Sequence, residues 1–162
     1  MNRSSVVERL AELLRSRSLK ICVSESVTAG LLQDALAQRS GASDFFRGGL
    51  TAYALDMKSA LLGVDPELVL RHQGVHPEIA QQMAAGALRL FDADVAIATT
   101  GYAEPAPAAG VAEPFAWIAV CRSGDLKTQR LVRWAGSGSR SAVREAICIA
   151  ALRLATDVLE TD

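Results

Sequence analysis

The sequence contains little cysteine, little lysine, few aromatic residues and no excess of charge of either sign. Its three cysteines are far apart in 162 residues and each has an apolar neighbour. This spacing excludes a disulfide-rich scaffold and favours buried, reduced thiols over a zinc site, which indicates the cytoplasm. With 17 basic and 18 acidic side chains the formal net charge is −1, so no global basic field exists to hold nucleic acid or an anionic membrane.

Long apolar runs are absent as well. No run reaches the roughly 18 residues that a membrane span requires, and the first residues carry charges at helical spacing where a signal peptide would have an apolar block. We therefore expect neither a membrane segment nor a targeting peptide. Half of the residues are nevertheless apolar, which is enough to build the core of one domain of this length.

The periodicity of the apolar residues predicts the element order α-β-α-β-α-α-α-β-β-β-α. The predicted helices are 6–14, 28–37, 56–62, a short one from 66, 77–91 and 140–158, and the predicted strands are 19–23, 48–53, 94–101, 115–122 and 126–134. Strands separated by helices are expected to be parallel, whereas the last two, joined by Ser123-Gly124-Asp125, should form an antiparallel hairpin. The sequence thus predicts an α/β fold with a mixed sheet between helical layers.

Three polar segments follow predicted strands, where ligands of α/β sheets usually bind. Residues 24–30 offer hydroxyl groups and Glu25, residues 99–110 form a proline-containing loop, and residues 136–140 form a Gly/Ser turn ending in Arg140. Together they suit a substrate that bears a phosphate or carboxylate. Taken singly, each has a plainer interpretation: a helix cap at Ser26 or Thr28, an ordinary turn, or a solvated arginine.

Lysine is the scarce cation, with 3 lysines against 14 arginines. Burial can make a lysine neutral so that it acts as a base, whereas arginine effectively cannot lose its proton. Lys58 follows Tyr53 by five residues and adjoins an apolar stretch. A serine with this lysine and tyrosine would make an acyl-transfer site in which the lysine takes the serine proton and the tyrosine relays it. The alternative is a solvated helix lysine.

Several common catalytic motifs are missing. The sequence has no G-x-S-x-G, S-x-x-K, Walker or G-x-G-x-x-G pattern, which disfavours the common serine hydrolases, penicillin-binding enzymes and P-loop NTPases. His72 and His76 are four residues apart, but Gly74 and Pro77 break the helix that would align them. We therefore expect no zinc site there.

The ordered set of motifs resembles the CinA C-terminal domain family, which includes nicotinamide mononucleotide deamidases. The resemblance extends over residues 6–159 and is specific as a set. Its motifs are Ser24 to Gly30, Gly48 to Tyr53, Lys58 to Val64, Gly74-Val75, Met83 to Ala87, Ala98 to Gly101 and Gly138 to Arg144.

The resemblance implies a single domain over residues 1–162 with a three-layer α/β/α sandwich fold. It also implies a nucleotide as the small-molecule substrate, no cofactor, no metal and a homo-oligomer, either a dimer or a trimer. The residues that match the family's proposed catalytic group are Ser26, Tyr53 and Lys58. Those that match or adjoin its substrate-binding positions are Thr28, Gly30, Thr100, Gly101 and Arg140.

The reaction implied is hydrolysis of the carboxamide of a nicotinamide nucleotide, within pyridine nucleotide salvage. Ser26 would attack the carbonyl carbon with Lys58 as base, ammonia would leave an acyl-enzyme, and water would release the acid. Backbone amides at the start of the helix predicted over 28–37 are the expected oxyanion donors. The alternative is a catalytically impaired paralogue that serves as a nucleotide-binding or scaffold protein.

The chain departs from the family pattern at several positions. Val27 stands where the family has cysteine, Ala29 where it has glycine, and His76 where serine is common. In residues 102–109, Glu104, prolines and alanines replace the glycines of the family's loop. Because prolines lack an N–H and alanines restrict φ, we expect this loop to bind phosphate less well than the family's version.

Overall fold

Five strands form one mixed sheet in the computed structural model, which describes residues 2–124 and 130–161. They are β1 (Ile21–Glu25), β2 (Phe46–Thr51), β3 (Val95–Tyr102), β4 (Phe115–Arg122) and β5 (Arg130–Ala135). The order across the sheet is β2-β1-β3-β4-β5. β1 is parallel to both of its neighbours, whereas β4 is antiparallel to β3 and β5. The predicted antiparallel pair is confirmed, although Asp125 of its turn and residues 126–129 of its second strand lie outside the described residues.

Six α-helices accompany the strands within the described residues, in the predicted order. They are α1 (Arg3–Ser16), α2 (Leu31–Ala37), α3 (Leu55–Leu62), α4 (Pro66–Arg71), α5 (Pro77–Phe91) and α6 (Arg140–Glu160). In that part of the chain, no helix combines the length and apolar character needed to cross a membrane.

Helices cover both faces of the sheet. Ile21 and Val23 of β1 face a core formed with α1, α2 and α6, whereas Cys22 faces a second core formed mainly with α5. All five residues of β1 are buried, as expected for a central strand that lies between two parallel neighbours and is covered on both faces. The predicted three-layer α/β/α sandwich with a mixed sheet is therefore confirmed.

The three cysteines are free and buried, as predicted. Burial raises the pKa of the thiols of Cys22 and Cys148 to about 12 and that of Cys121 to about 11. Because the thiolate is the reactive form, these residues act as core side chains and not as nucleophiles.

The parallel strands end together at one edge of the sheet. Glu25, the last residue of β1, is in register with Thr51 of β2 and Thr99 of β3. The pairing continues one residue further, since the amide of Ser26 donates to the carbonyl of Thr99 at 3.0 Å. This register gathers the segments after three strands into one site, as the strand-end rule for α/β sheets predicts.

The helix after β1 begins three residues later than predicted. α2 starts at Leu31, and residues 28–30 form a turn in which Ala29 (φ 43°) and Gly30 (φ 99°) adopt left-handed backbone conformations. The alternative of a helix cap at Ser26 or Thr28 is wrong, because the N-cap is Gly30, which has no side chain to offer. The carboxylate of Glu25 caps the helix instead.

This carboxylate is fully buried and accepts three backbone hydrogen bonds. The donors are the amides of Gly30 at 3.1 Å, Leu32 at 3.0 Å and Gln33 at 3.0 Å. A negative charge at a helix N-terminus is further stabilised by the helix dipole. Glu25 therefore fixes the geometry between β1 and α2, where Ser26 lies.

We predict that Glu25→Ala lowers the free energy of unfolding by about 3 kcal/mol, because it leaves several buried amides without an acceptor. Urea denaturation followed by circular dichroism measures this loss. Glu25→Gln is the matched control: it keeps one acceptor oxygen and should be less destabilising than the alanine variant. Equal midpoints for Glu25→Ala and wild type would contradict the capping role.

Candidate active site

A pocket of about 290 Å³ opens at the carboxyl ends of the parallel strands. Six of the eight sequence-predicted site residues line it, together with Glu104 from the loop after β3. The six are Ser26, Tyr53, Lys58, Thr100, Gly101 and Arg140. Thr28 and Gly30 are not among the lining residues.

Lys58 lies at the inner end of this pocket and is 2% exposed. Its Nζ donates hydrogen bonds to the Oγ of Ser26 at 3.0 Å and to the backbone carbonyls of Ala52 at 2.9 Å and Tyr53 at 3.3 Å. Within the described residues, no carboxylate forms an ion pair with it. Burial lowers the pKa of Lys58 to about 8, so on the order of a tenth of the molecules hold it neutral at pH 7. The alternative of a solvated lysine is wrong.

The stem of Lys58 packs against Gly74, whose φ of +76° favours glycine. A Cβ at this position would lie 2.7 Å from Leu55 Cδ2 and 3.3 Å from Lys58 Cε. The carbonyl of Gly74 accepts a 2.6 Å hydrogen bond from the Thr100 hydroxyl. Gly74, predicted to break a helix and to belong to a family motif, and Thr100, predicted to bind substrate, thus position the lysine.

The turn that carries Ser26 is held from α6 by Arg144. Its guanidinium donates to the carbonyls of Val27 at 3.0 Å and Thr28 at 2.8 Å. Because a trans peptide points its C=O and N–H in opposite directions, the amides of Thr28 and Ala29 point away from Arg144. The sequence carried no signal for this role beyond the position of Arg144 at the end of the last family motif.

Oxyanion donors are predicted among the backbone amides at the start of the helix expected over 28–37, and this role stays a prediction. The amides of Gly30, Leu32 and Gln33 already donate to Glu25. Within the described residues, no hydrogen bond uses the amides of Val27, Thr28 or Ala29. The donors left beside Ser26 are therefore those of the turn 27–29.

Tyr53 is 58% exposed and contacts the site through two different groups. Its backbone carbonyl accepts from Lys58, whereas its hydroxyl accepts from Arg140 at 3.1 Å. The proton-relay role of the tyrosine hydroxyl stays a prediction, because the contact that the structure shows for that hydroxyl is with Arg140.

Of the predicted substrate-binding residues, Thr28 and Gly30 lie in the turn before α2, whereas Gly101 lines the pocket. The hydroxyl of Thr28 is buried against that of Thr99 at 2.8 Å, and Gly30 is the N-cap of α2; both shape the turn. Gly101 lines the pocket, but a Cβ there would also collide with the carbonyl of Phe115 on β4. Its lack of a side chain therefore serves the close approach of two strands.

Arg140 is the first residue of α6 and reaches into the pocket wall. One terminal nitrogen donates to the carboxylate of Glu104 at 2.8 Å and the other donates to the Tyr53 hydroxyl. Arg140 and Glu104 are about half exposed, at 49% and 60%. The arginine predicted to hold an anion of the substrate thus already contacts an anion of the chain.

No metal centre emerges from residues 2–124 and 130–161, where no group of three or more His, Cys, Asp or Glu side chains could hold an ion. The rings of His72 and His76 stack with their centroids 4.0 Å apart. They come from separate elements, the C-cap of α4 and the N-cap of α5.

Comparison with known sequences gives one family. The sequence pattern of the CinA C-terminal domain matches residues 3–159. The chain is 40% identical over 162 residues to a CinA-like protein of Mycolicibacterium paratuberculosis and 42% identical over 154 residues to one of Mycobacterium tuberculosis. Each alignment covers 93% of this chain but only 35% and 34% of the relative, so the chain spans about a third of the length of these curated relatives.

Solved structures agree with this result. A competence-damaged protein (CinA) superfamily protein from Klebsiella pneumoniae superposes with a TM-score of 0.92 at 27% identity, covering 100% of both chains. A competence or damage-inducible protein from Enterobacter asburiae gives a TM-score of 0.91 at 27% identity, covering 98% of this chain and 99% of that one. These similarities support the three-layer fold described above.

We predict that Ala29→Gly raises the free energy of unfolding by about 0.5–1 kcal/mol. A left-handed conformation costs an alanine roughly 1–2 kcal/mol, more than the unfolded-state entropy that glycine adds. Chemical denaturation measures the gain. Gly30→Ala, at φ 99°, is the matched control and should lose stability. A loss for Ala29→Gly would show that the turn imposes no strain at this residue.

Proposed function

The chain belongs to the CinA C-terminal domain family, and on this premise we propose that it is an amidohydrolase that releases ammonia from the carboxamide of a nicotinamide nucleotide. The observation that supports this proposal most is the buried Lys58 Nζ at 3.0 Å from the Ser26 Oγ in the pocket. A nucleophile and base within hydrogen-bond distance are the minimum that acyl transfer requires.

The reaction begins with a neutral Lys58. Its Nζ accepts the hydroxyl proton of Ser26 while the Oγ bonds to the carboxamide carbon, and the carbonyl oxygen takes up the negative charge. The amides of the turn 27–29 are the donors available to that oxygen. Arg144, which holds the carbonyls of the same turn, is a positioning residue for them.

In the second half of the reaction Lys58 first acts as an acid and then again as a base. The lysine ammonium gives its proton to the departing nitrogen, the C–N bond breaks and ammonia leaves an ester on Ser26. Neutral Lys58 then takes a proton from water, whose oxygen attacks the ester carbon. The lysine ammonium returns this proton to the Ser26 Oγ as the C–O bond to the serine breaks and the carboxylic acid leaves. One amide and one water yield one acid and one ammonia, so the lysine returns to its initial state.

The burial of Lys58 favours this enzyme over the non-catalytic scaffold. A buried ammonium without a carboxylate partner is costly, since hydrogen bonds to neutral groups only partly replace its hydration. A protein that merely bound a nucleotide would gain nothing from placing this group against Ser26. Nucleotide binding by the wild type without any ammonia release would favour the scaffold.

The setting of the reaction is part of the same proposal. Free, buried thiols support a reducing compartment such as the cytoplasm, and the balanced charge gives no support to a nucleic-acid or membrane partner. We propose a role in pyridine nucleotide salvage as a homo-oligomer, a dimer or a trimer, without cofactor or metal. Analytical ultracentrifugation measures the oligomeric state.

The deciding experiment is an ammonia-release assay with nicotinamide mononucleotide and related carboxamides. We predict that Ser26→Ala and Lys58→Ala each abolish release, because each removes one half of a single nucleophile–base unit. The double variant should then lose little more. Lys20→Ala is the control, because Lys20 does not line the pocket and its Nζ donates to the backbone carbonyl of Asp44. Wild-type turnover in both single variants, with fold confirmed by circular dichroism, would overturn the assignment.

We also predict the pH dependence of kcat/KM. The pKa of Lys58 is lowered to about 8 by burial, and the active form is the neutral amine. kcat/KM should therefore rise about tenfold per pH unit below pH 8 and level off above pH 8. A profile that falls between pH 6 and 9 would contradict Lys58 as the base.

A further inference from the structure

Arg140 is the only arginine that lines the pocket within the described residues. The anion that it contacts is a side chain of the same protein. The Glu104 carboxylate lies at 2.8 Å from one terminal nitrogen, and the Tyr53 hydroxyl lies at 3.1 Å from the other. An arginine recognises a phosphate best with two parallel N–H donors. Both terminal nitrogens of Arg140 are already engaged, and the strongest of its contacts is with a negative charge.

The loop that carries Glu104 also has few amides to offer. Pro105 and Pro107 have no N–H. The amides of Ala106, Ala109 and Gly110 donate to carbonyls of the loop itself, at 2.9 to 3.0 Å, and form a short isolated bridge and a 3₁₀ turn. A phosphate cradle requires several free amides that converge on one point, and these three amides are already used within the loop.

The negative charge of Glu104 also weakens the binding of a phosphate at Arg140. A dianion placed on Arg140 would lie within several ångströms of Glu104 unless it displaced that carboxylate. Repulsion between like charges at this distance weakens binding by about tenfold even with partial solvent screening. By contrast, the second oxygen of the Glu104 carboxylate has no partner within the described residues and can accept hydrogen bonds from sugar hydroxyls or face a cationic ring.

We propose that Glu104 is a specificity-determining residue that replaces the substrate phosphate at Arg140, so that the pocket takes an unphosphorylated carboxamide of the nucleoside type. This inference rests on the proposed amidohydrolase function and changes its preferred substrate from the nucleotide to the corresponding nucleoside. It makes nicotinamide riboside, which lacks only the phosphate, a better substrate than nicotinamide mononucleotide.

The first test uses inorganic phosphate as the probe and does not depend on turnover. Phosphate binding, followed by ³¹P line broadening, should be about tenfold tighter in Glu104→Gln than in wild type, and Glu104→Gln/Arg140→Ala should lose the gain. Glu113→Gln removes an exposed carboxylate from the same connection and is the control. Equal binding in wild type and Glu104→Gln would overturn the proposal.

The second test compares kcat/KM for ammonia release from the riboside and the mononucleotide. Wild type should prefer the riboside, and Glu104→Gln should shift the ratio toward the mononucleotide by about tenfold, mainly through KM. A wild-type preference for the mononucleotide would overturn the inference while leaving the amidohydrolase intact. If neither compound releases ammonia, the nicotinamide amidase function fails, and the phosphate titration still decides whether Glu104 blocks the anion site.

Discussion

The structure of the site depends on the burial of one ammonium group among neutral partners. Lys58 Nζ is held by the Ser26 hydroxyl and two backbone carbonyls, none of which offsets its charge as a carboxylate would. The free energy of burial therefore appears as a lowered pKa, which is what a general base needs near neutral pH. Gly74 provides the space for the lysine stem, and Thr100 holds Gly74 in place. Packing alone thus prepares Lys58 for the proposed role of base, and that role requires no separate activating residue.

Two further charged residues, one acidic and one basic, hold the backbone around Ser26, the proposed nucleophile. Glu25 accepts from the amides at the start of α2, while Arg144 donates to carbonyls of the turn before it. Together they engage the amides of residues 30, 32 and 33 and the carbonyls of residues 27 and 28, whereas no hydrogen bond within the described residues uses the amides of 27–29. Since donors that are already oriented need not reorganise when negative charge develops, this division leaves the useful groups free and fixed. Neither charged side chain has to touch the substrate to do so.

Periodicity predicted the element order, the mixed sheet and the gathering of strand ends, because the apolar pattern is local. It missed the start of α2, since Val27, Thr28 and Ala29 fit a helix as well as a turn. A hydroxyl cap at Ser26 or Thr28 is the alternative interpretation of that segment, but the carboxylate of Glu25 in the preceding strand provides the cap instead. The family resemblance named Ser26, Lys58 and Arg140, but their side-chain partners lie 32 to 87 residues away from them along the chain. Contacts of that range cannot be deduced from spacing alone.

Lys58 and Arg140, the two cations that line the described pocket, are treated differently by the structure, and this difference separates the proposed base from the proposed specificity site. Burial lowers the pKa of Lys58 to about 8, and this effect depends on the core around it. Arg140 is offset by Glu104 in a half-exposed ion pair, which contributes about 0–1 kcal/mol to stability. A change at Glu104 therefore alters which anions the pocket accepts with little effect on folding. A change in the packing around Lys58 would disturb the base and the fold together, so substrate preference is the property of this site that can vary most freely.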